Sequence, residues 1–228
     1  MIDSAANGGP RTQAGLPVPP SEAVRRFGTQ LELATRYAAL LCTRGVERGL
    51  IGPREPARIW DRHLLNSVAL VADIPSGAQV VDIGSGAGLP GIPVWLARPD
   101  LSMRLVEPLE RRVRFLREVV AELALPIEVV HGRAEQQPAG SADVVIARAV
   151  APLERLLPIT MPILRPDGRL LALKGRSAPA EIATAGQMLH LWPGARLRWD
   201  SVGTGDAETV IVRVDRHATG DTDGAVSG

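Results

Sequence analysis

The chain has one cysteine, one tyrosine, two phenylalanines and, among 26 basic residues, a single lysine, and each shortage excludes something. A lone cysteine cannot form an internal disulfide or a cysteine metal cluster. Cys42 stands in YAALLCTRG among helix formers, where a buried core thiol is the expected role rather than a nucleophile. The four histidines show no metal-like spacing, so no metal site is expected. With aromatics at 3%, stacking a run of bases on many rings is not an available binding mode, which argues against a promiscuous single-strand binder. No apolar run reaches the ~18 residues of a membrane span, and MIDSAANGGPRTQAGLPVPP lacks the charged-then-apolar profile of a signal peptide. A soluble, cytoplasmic protein with no membrane partner is the expectation. A formal net charge of +1 excludes a surface coated in positive charge, so any nucleic-acid contact must come from a local patch. The arginine bias that leaves Lys174 as the sole lysine accompanies abundant Ala, Gly and Pro and reads as codon bias rather than chemistry.

At 228 residues and 45% apolar content, the chain can bury one substantial core, as one domain with additions. Residues 1–20, rich in Gly, Pro and small polar residues, and residues 216–228, RHATGDTDGAVSG, are expected to be disordered. Residues 21–75 form a helical extension: Leu31, Leu33, Ala34, Ala38, Leu41 and Cys42 recur at three-and-four spacing, and REPARIWDRHLLNSVALVADI continues the style. Over residues 76–215 the period changes. The runs QVVDI, SMRLVEP, IEVVHG, ADVVIARA and GRLLALKG alternate with helix-like stretches, as parallel βαβ units do, while RLRWDSV and ETVIVRV follow each other as a hairpin around GTGDA. The expected fold is α/β: a Rossmann-like, seven-strand, mostly parallel sheet behind an N-terminal helical extension.

In such a sheet the ligand sits beyond the carboxyl ends of the strands, usually at the first strand-to-helix turn. That turn is VVDIGSGAGLPGIP, and it has two parses. Gly86, Gly88 and Gly91 spell the dinucleotide pattern GxGxxG, whereas Gly84, Gly86 and Gly88 spell GxGxG. A dinucleotide fingerprint starts directly after the strand; counted from Asp82 and Ile83 it starts at Gly84, and the place of its third glycine is taken by Leu89. The later frame also turns Asp82 toward phosphates, which repel a carboxylate, whereas a cation welcomes one. S-adenosylmethionine carries an ammonium and a sulfonium and no phosphate, and fits better. Glu107, ending RLVEP, can accept from both ribose hydroxyls of either cofactor.

DIGSGAGLPGIP, VEPLERRVRFLREV, GRAE, DVVIARAVAPL and LALKG, in that order and with WDRHLLNS upstream, resemble the small-subunit ribosomal RNA methyltransferase G family, also called glucose-inhibited division protein B. The resemblance runs from about Trp60 to Gly175. It implies a class I S-adenosylmethionine-dependent methyltransferase acting on N7 of a guanine in the 530 loop of 16S ribosomal RNA, with that RNA or the small ribosomal subunit as partner. Carried over residue by residue, it implies cofactor contacts at Gly84 and Leu89 in the loop, at Ala134 and Glu135 after the third strand, and at Arg148 ending the fourth. Asp82, Gly86, Gly88 and Glu107 join them from the reading of the loop. Arg148 suits either the cofactor's carboxylate or an RNA phosphate. Asn66 departs from the family, which usually has aspartate there.

For RNA, LERRVRFLRE offers Arg111, Arg114 and Arg117 at three-residue spacing, outside a buried stripe of Val113, Leu116 and Val120. Such a face positions phosphates without reading bases; a solvated face balanced by Glu110 and Glu118 is the competing reading. Lys174, Arg176, Arg165 and Arg169 flank the fifth strand and would extend the patch, and His63 either borders the target pocket or is structural. No residue stands where a catalytic base is demanded, and none is assigned. A monomer is expected. A same-fold methyltransferase for a small molecule or protein, and a non-catalytic ribosome-binding module, are the alternatives.

Overall fold

The computed structural model describes residues 17–175, 177–203 and 208–217; Arg176, most of the GTGDA turn, and residues 1–16 and 218–228 lie outside the described residues. The strands are β1 (Gln79–Ile83), β2 (Ser102–Glu107), β3 (Glu128–His131), β4 (Ala142–Arg148), β5 (Leu164–Lys174), β6 (Arg196–Val202) and β7 (Thr209–Asp215). They form one sheet in the order β3-β2-β1-β4-β5-β7-β6. β1 to β5 are parallel, and β7 runs antiparallel to both β5 and β6. The chain leaves β1 toward β2 and β3, then returns to place β4 on the other side of β1. That reversal is where a doubly wound sheet opens a crevice at its carboxyl edge.

The sheet is covered on both faces because its strands are apolar at successive positions, and strand side chains alternate between faces. Val80, Leu105, Val144, Ile146, Leu171 and Leu173 join one buried cluster, and Val81, Val106, Val145, Ala147, Leu170 and Ala172 join the other. Ile146 and Leu171 have no exposed surface, and burying such a side chain stabilises the fold by about 1.5–3 kcal/mol. The first cluster packs against α1 (Ser21–Phe27), α2 (Leu31–Leu40), α3 (Asn66–Val68), α4 (Gly91–Ala97) and α5 (Glu110–Glu122); the second packs against α6 (Leu153–Thr160) and α7 (Ala178–Met188). The helical extension therefore shares a core with the sheet.

Several particulars differ from the sequence reading. On α5 the fully buried stripe is Val113, Phe115, Leu116 and Val119, with Val120 half-buried, because the helix packs on both β2 and β3. Pro17 and Arg216, assigned to disordered ends, are tied down: Trp60 Nε1 donates to the Pro17 carbonyl at 3.1 Å, and Arg216 Nη1 donates to the Met161 carbonyl at 3.0 Å. Arg165 and Arg169 lie in the amino-terminal half of β5, away from the crevice. Arg165 pairs with Asp143 at 2.8 Å and Arg169 with Asp215 at 3.1 Å. At ~3.3 Å per residue, Arg169 stands about 17 Å along the strand from Lys174, so these arginines do not extend a patch around the strand's end.

Candidate active site

The turn after β1 is built by glycine and by buried polar supports. Gly84, Gly86 and Gly88 have φ of +68°, +58° and +97°, a region that side chains other than glycine rarely adopt. The Gly84 and Ser85 amides donate to the Val106 carbonyl at 2.8 and 3.2 Å, which fastens the turn to β2. From beneath, the fully buried Tyr37 hydroxyl donates to the Ala87 carbonyl at 2.8 Å. Burial raises the Tyr37 pKa well above its usual value, so the phenol keeps its proton for that bond.

Asp82 is also beneath the loop. It has no exposed surface, and its Oδ2 accepts from the Gly91 amide at 3.0 Å, while Oδ1 is buried without a hydrogen-bond partner. Burial pushes its pKa up to about 7, against the pull of the Ser85 hydroxyl and the Gly91 amide. Asp82 therefore does not form the wall that meets a ligand, as the sequence suggested. The Gly91 amide at the start of α4 needs an acceptor, and it holds the carboxylate inward.

A cavity of about 630 Å³ opens at the carboxyl ends of β1, β2 and β4. Gly84, Ser85, Gly86, Ala87 and Leu89 line it from the loop; Glu107, Pro108, Leu109 and Arg112 from the end of β2 and the start of α5; and Arg148, Ala149 and Val150 from beyond β4. The helical extension closes it with Leu50, Ile51, Gly52, Glu55, Arg62 and His63. Glu107 is 1% exposed; its Oε2 accepts from the Gly86 amide at 2.9 Å and its Oε1 from the Leu109 amide at 2.9 Å. Arg112 Nη1 lies 3.7 Å from Glu107. A Cβ on Gly86 would find its nearest atom, the Gly84 carbonyl oxygen, at 3.8 Å, so the backbone there faces open space.

His63 and Arg148 meet across 85 residues of sequence. His63 lies in a wide π-type turn, Ile59–Leu65, a form that often marks functional sites. An Arg148 Nη donates to His63 Nδ1 at 2.7 Å, and His63 Nε2 is 2.6 Å from Glu55 Oε2. A guanidinium cannot accept, so Nδ1 carries the lone pair and the Nε2 proton is donated to Glu55. Burial and the Arg148 charge push the His63 pKa down to about 4 against the raising effect of Glu55. The structure thus holds His63 in an internal bridge at the edge of the main cavity.

Other expected site residues lie elsewhere. Ala134 is buried in the second apolar cluster beside Ile83 and Val106, and Glu135 is exposed on a short 3₁₀ turn; neither borders the cavity. Arg111, Arg114 and Arg117 are exposed on α5. Arg111 and Arg114 line a groove of about 380 Å³ with Arg48, Leu50 and Glu118, and Leu50 also lines the main cavity. Lys174 is not a surface cation: it is 6% exposed and paired with Glu181 at 2.9 Å, because α7 brings a carboxylate over the end of β5. It lines a second cavity of about 190 Å³ with Asn66, Gly175, Glu208 and Thr209, joined to the first through Arg62, Arg148 and Ala149. Tyr37, Glu55, Arg62 and Arg112 are site residues that the sequence reading missed. Of these only Arg112 carried a local signal, as the residue directly after Arg111 in an RR pair.

These residues fit S-adenosylmethionine. The main cavity has the size of a small-molecule site, Glu107 offers an anionic acceptor for hydroxyls, and the buried Asp82 with its unpartnered Oδ1 favours a positively charged occupant.

The family model for rRNA small subunit methyltransferase G matches residues 30–208. The protein named ribosomal RNA small subunit methyltransferase G in Mycobacterium avium (strain 104) is 54% identical over 183 residues, 78% of this chain and 75% of that one. Its namesake in Kineococcus radiotolerans is 54% identical over 203 residues, 86% of this chain and 80% of that one. Among solved structures, a methyltransferase from Pyrococcus furiosus is similar with a TM-score of 0.60 at 14% identity, over 81% of this chain and 100% of that one. A SAM-dependent methyltransferase from Aquifex aeolicus follows at 0.53 and 19%, over 71% and 93%. At these identities the structures show the fold alone, a class I methyltransferase sheet with an added helical extension. The sequence matches show more: the chain belongs to the rRNA small subunit methyltransferase G family.

Proposed function

We propose that the main cavity holds S-adenosylmethionine and that the acceptor is N7 of a guanine in the 530 loop of 16S ribosomal RNA. Membership of the family makes the chain an S-adenosylmethionine-dependent 16S rRNA methyltransferase. The observation that supports this cleft as the site is the GxGxG turn closed over Glu107, whose carboxylate is fixed by the Gly86 amide at the cavity wall. On this reading Glu107 receives the ribose hydroxyls. Gly84 and Gly86 let the backbone approach and Leu89 lines the wall, Asp82 supplies negative potential from below, and Arg148 meets the carboxylate; Gly88, expected as a cofactor contact, instead makes room for Ile92 and Tyr37 beneath the loop.

S-adenosylmethionine supplies a methyl group on a sulfonium, ready for direct displacement. Guanine N7 has an unprotonated lone pair at neutral pH, so no side chain has to remove a proton first. His63 agrees with that: it is neutral, and its Nδ1 lone pair is already engaged by Arg148. What remains for the protein is to align acceptor, methyl and sulfur and to exclude water. Arg111 and Arg114, with Arg117 further along α5, are the proposed phosphate contacts, since their groove adjoins the cavity through Leu50. No helix among the described residues is long and apolar enough to cross a membrane; a cytoplasmic monomer working on the small subunit is part of the proposal.

The test is to incubate the protein with methyl-labelled S-adenosylmethionine and whole small subunits, or naked 16S RNA, then digest the RNA and identify the nucleoside. N7-methylguanosine is expected. Label in a protein, or at another atom of the base, would overturn the acceptor assignment.

A further inference from the structure

The segment joining β4 to α6 borders both cavities, and an ion pair between the buried Lys174 and the half-buried Glu181 holds it. Ala149, directly after β4, has φ of +52°, a conformation that residues other than glycine rarely adopt and that persists only where its surroundings enforce it. Val150 follows and packs over the glycine turn: its Cγ2 lies 2.8 Å from where a Cβ on Gly84 would be. The enforcement comes from the end of β5. Lys174 Nζ donates to the Ala151 carbonyl and lies 2.9 Å from Glu181 Oε2. The same carboxylate oxygen accepts from the Leu153 amide at 3.1 Å, and Oε1 accepts from the Ser177 hydroxyl at 2.6 Å.

Lys174 thus pins the middle of the segment, and Glu181 pins its exit into α6. A compact ammonium with three donors serves two acceptors set close together, where a planar guanidinium would need more room. A buried pair is weak evidence for stability, because apolar residues of similar volume often do as well. It does something they cannot: it satisfies the Ala151 carbonyl and the Leu153 amide, and so fixes the path of the backbone between them.

We propose that Lys174 and Glu181 are positioning residues for methyl transfer, holding Ala149 and Val150 at the seam between the cofactor cavity and the adjoining second cavity. The proposal rests on the methyltransferase reading above. Its consequence is a division of effects. Binding of the cofactor tolerates a shifted segment better than in-line transfer does, because misplacement by about 1 Å can cost up to about 100-fold in rate.

The experiment compares wild type, Lys174→Met and Lys174→Met/Glu181→Met. Single-turnover transfer to small subunits and the cofactor Kd are measured well below each variant's thermal midpoint, with circular dichroism confirming the fold. Lys174→Met is expected to lose midpoint, because the half-buried Glu181 loses its cation and the Ala151 carbonyl loses its donor. Its transfer rate is expected to fall at least about tenfold, with a smaller change in Kd. The double variant is expected to regain midpoint without regaining rate. A folded variant of either kind that transfers at the wild-type rate overturns the proposal and leaves the pair a stability element. Should Lys174→Met not fold, the double variant carries the same comparison, and Glu181→Gln, which keeps an acceptor for Leu153 but loses the charge, is expected to slow transfer with the fold intact. Wild type that transfers no methyl would instead refute the methyltransferase assignment, so the two failures are distinguishable.

Discussion

Replacing Glu107 by glutamine removes one charge and one acceptor while keeping the shape of the side chain, and its effect divides into two measurable parts. In the free protein both carboxylate oxygens are used, one by the Gly86 amide and one by the Leu109 amide. Glutamine has a single acceptor oxygen, so one buried amide then faces an NH₂ group, and leaving such a donor unmet costs about 1–3 kcal/mol of stability. For the bound cofactor, a hydrogen bond to a charged acceptor contributes about 1.5–3 kcal/mol and a neutral one about 0.5–1.5. The difference is about 1 kcal/mol per ribose hydroxyl, so two hydroxyls give about 2 kcal/mol, or roughly 30-fold in Kd. Calorimetric titration with S-adenosylmethionine reads the second part and thermal unfolding the first. Glu107→Ala should go further in both, since it also frees the second amide. A glutamine variant with lowered midpoint but unchanged Kd would refute the ribose role and leave Glu107 as a brace for the turn.

Gly86→Val should abolish cofactor binding at a modest cost in stability. At φ of +58° the strain is of order 1–2 kcal/mol, and the new side chain points into the cavity; calorimetry showing retained binding would move the cofactor elsewhere. Arg111→Glu with Arg114→Glu should slow methylation of small subunits and flatten its salt dependence without changing cofactor Kd, and an unchanged salt slope would take the RNA off this face of α5. Single-turnover transfer at saturating cofactor should stay flat from about pH 6.5 to 8.5 in wild type and in His63→Ala, where an ordinary histidine would switch, because the His63 pKa of about 4 lies below that window; a climb that vanishes in His63→Ala would show a required base. Cofactor affinity should behave differently: Asp82, raised to about 7 by burial, is neutral below that pH and anionic above it, so attraction for a cationic ligand grows as pH rises through 7, and a Kd constant from pH 6 to pH 8 would show that Asp82 ionises outside that range.

The parts of the site legible in the sequence are those where chemistry and position lie close together along the chain. β-branched runs such as QVVDI mark strands, a glycine turn directly after one marks the crevice, and Glu107 is readable as the last residue of the next strand. Lys174 was not legible, because its neighbours in LALKG say only that it ends a strand. Its partners come from α7 and from the segment after β4, and only folding brings them onto it. For His63 the sequence left a pocket-bordering and a structural role open, because Arg148, which fixes its bridge, reaches it only through tertiary packing. Arg165 and Arg169 are a different case: parallel strands put their first residues at the edge opposite the ligand, so strand direction alone excludes them from a patch at the carboxyl end.

A fold by itself does not choose the acceptor. The distribution of charge across the crevice bears on it more directly. The acids proposed to serve a cationic, hydroxyl-bearing cofactor, Asp82 and Glu107, stand at the ends of β1 and β2. The guanidiniums that border both cavities, Arg62 and Arg148, stand on the side of β4, where the acceptor must enter if the methyl is to be met from beyond the cofactor. Arg62 is partly offset by Glu55 at 3.6 Å, and a small apolar acceptor would gain nothing from the cation that remains there. An acceptor carried on a phosphate backbone brings its own anions to Arg62, Arg148 being matched by the cofactor's carboxylate on the reading proposed above, and a ribosomal guanine suits this cleft better than a free base does.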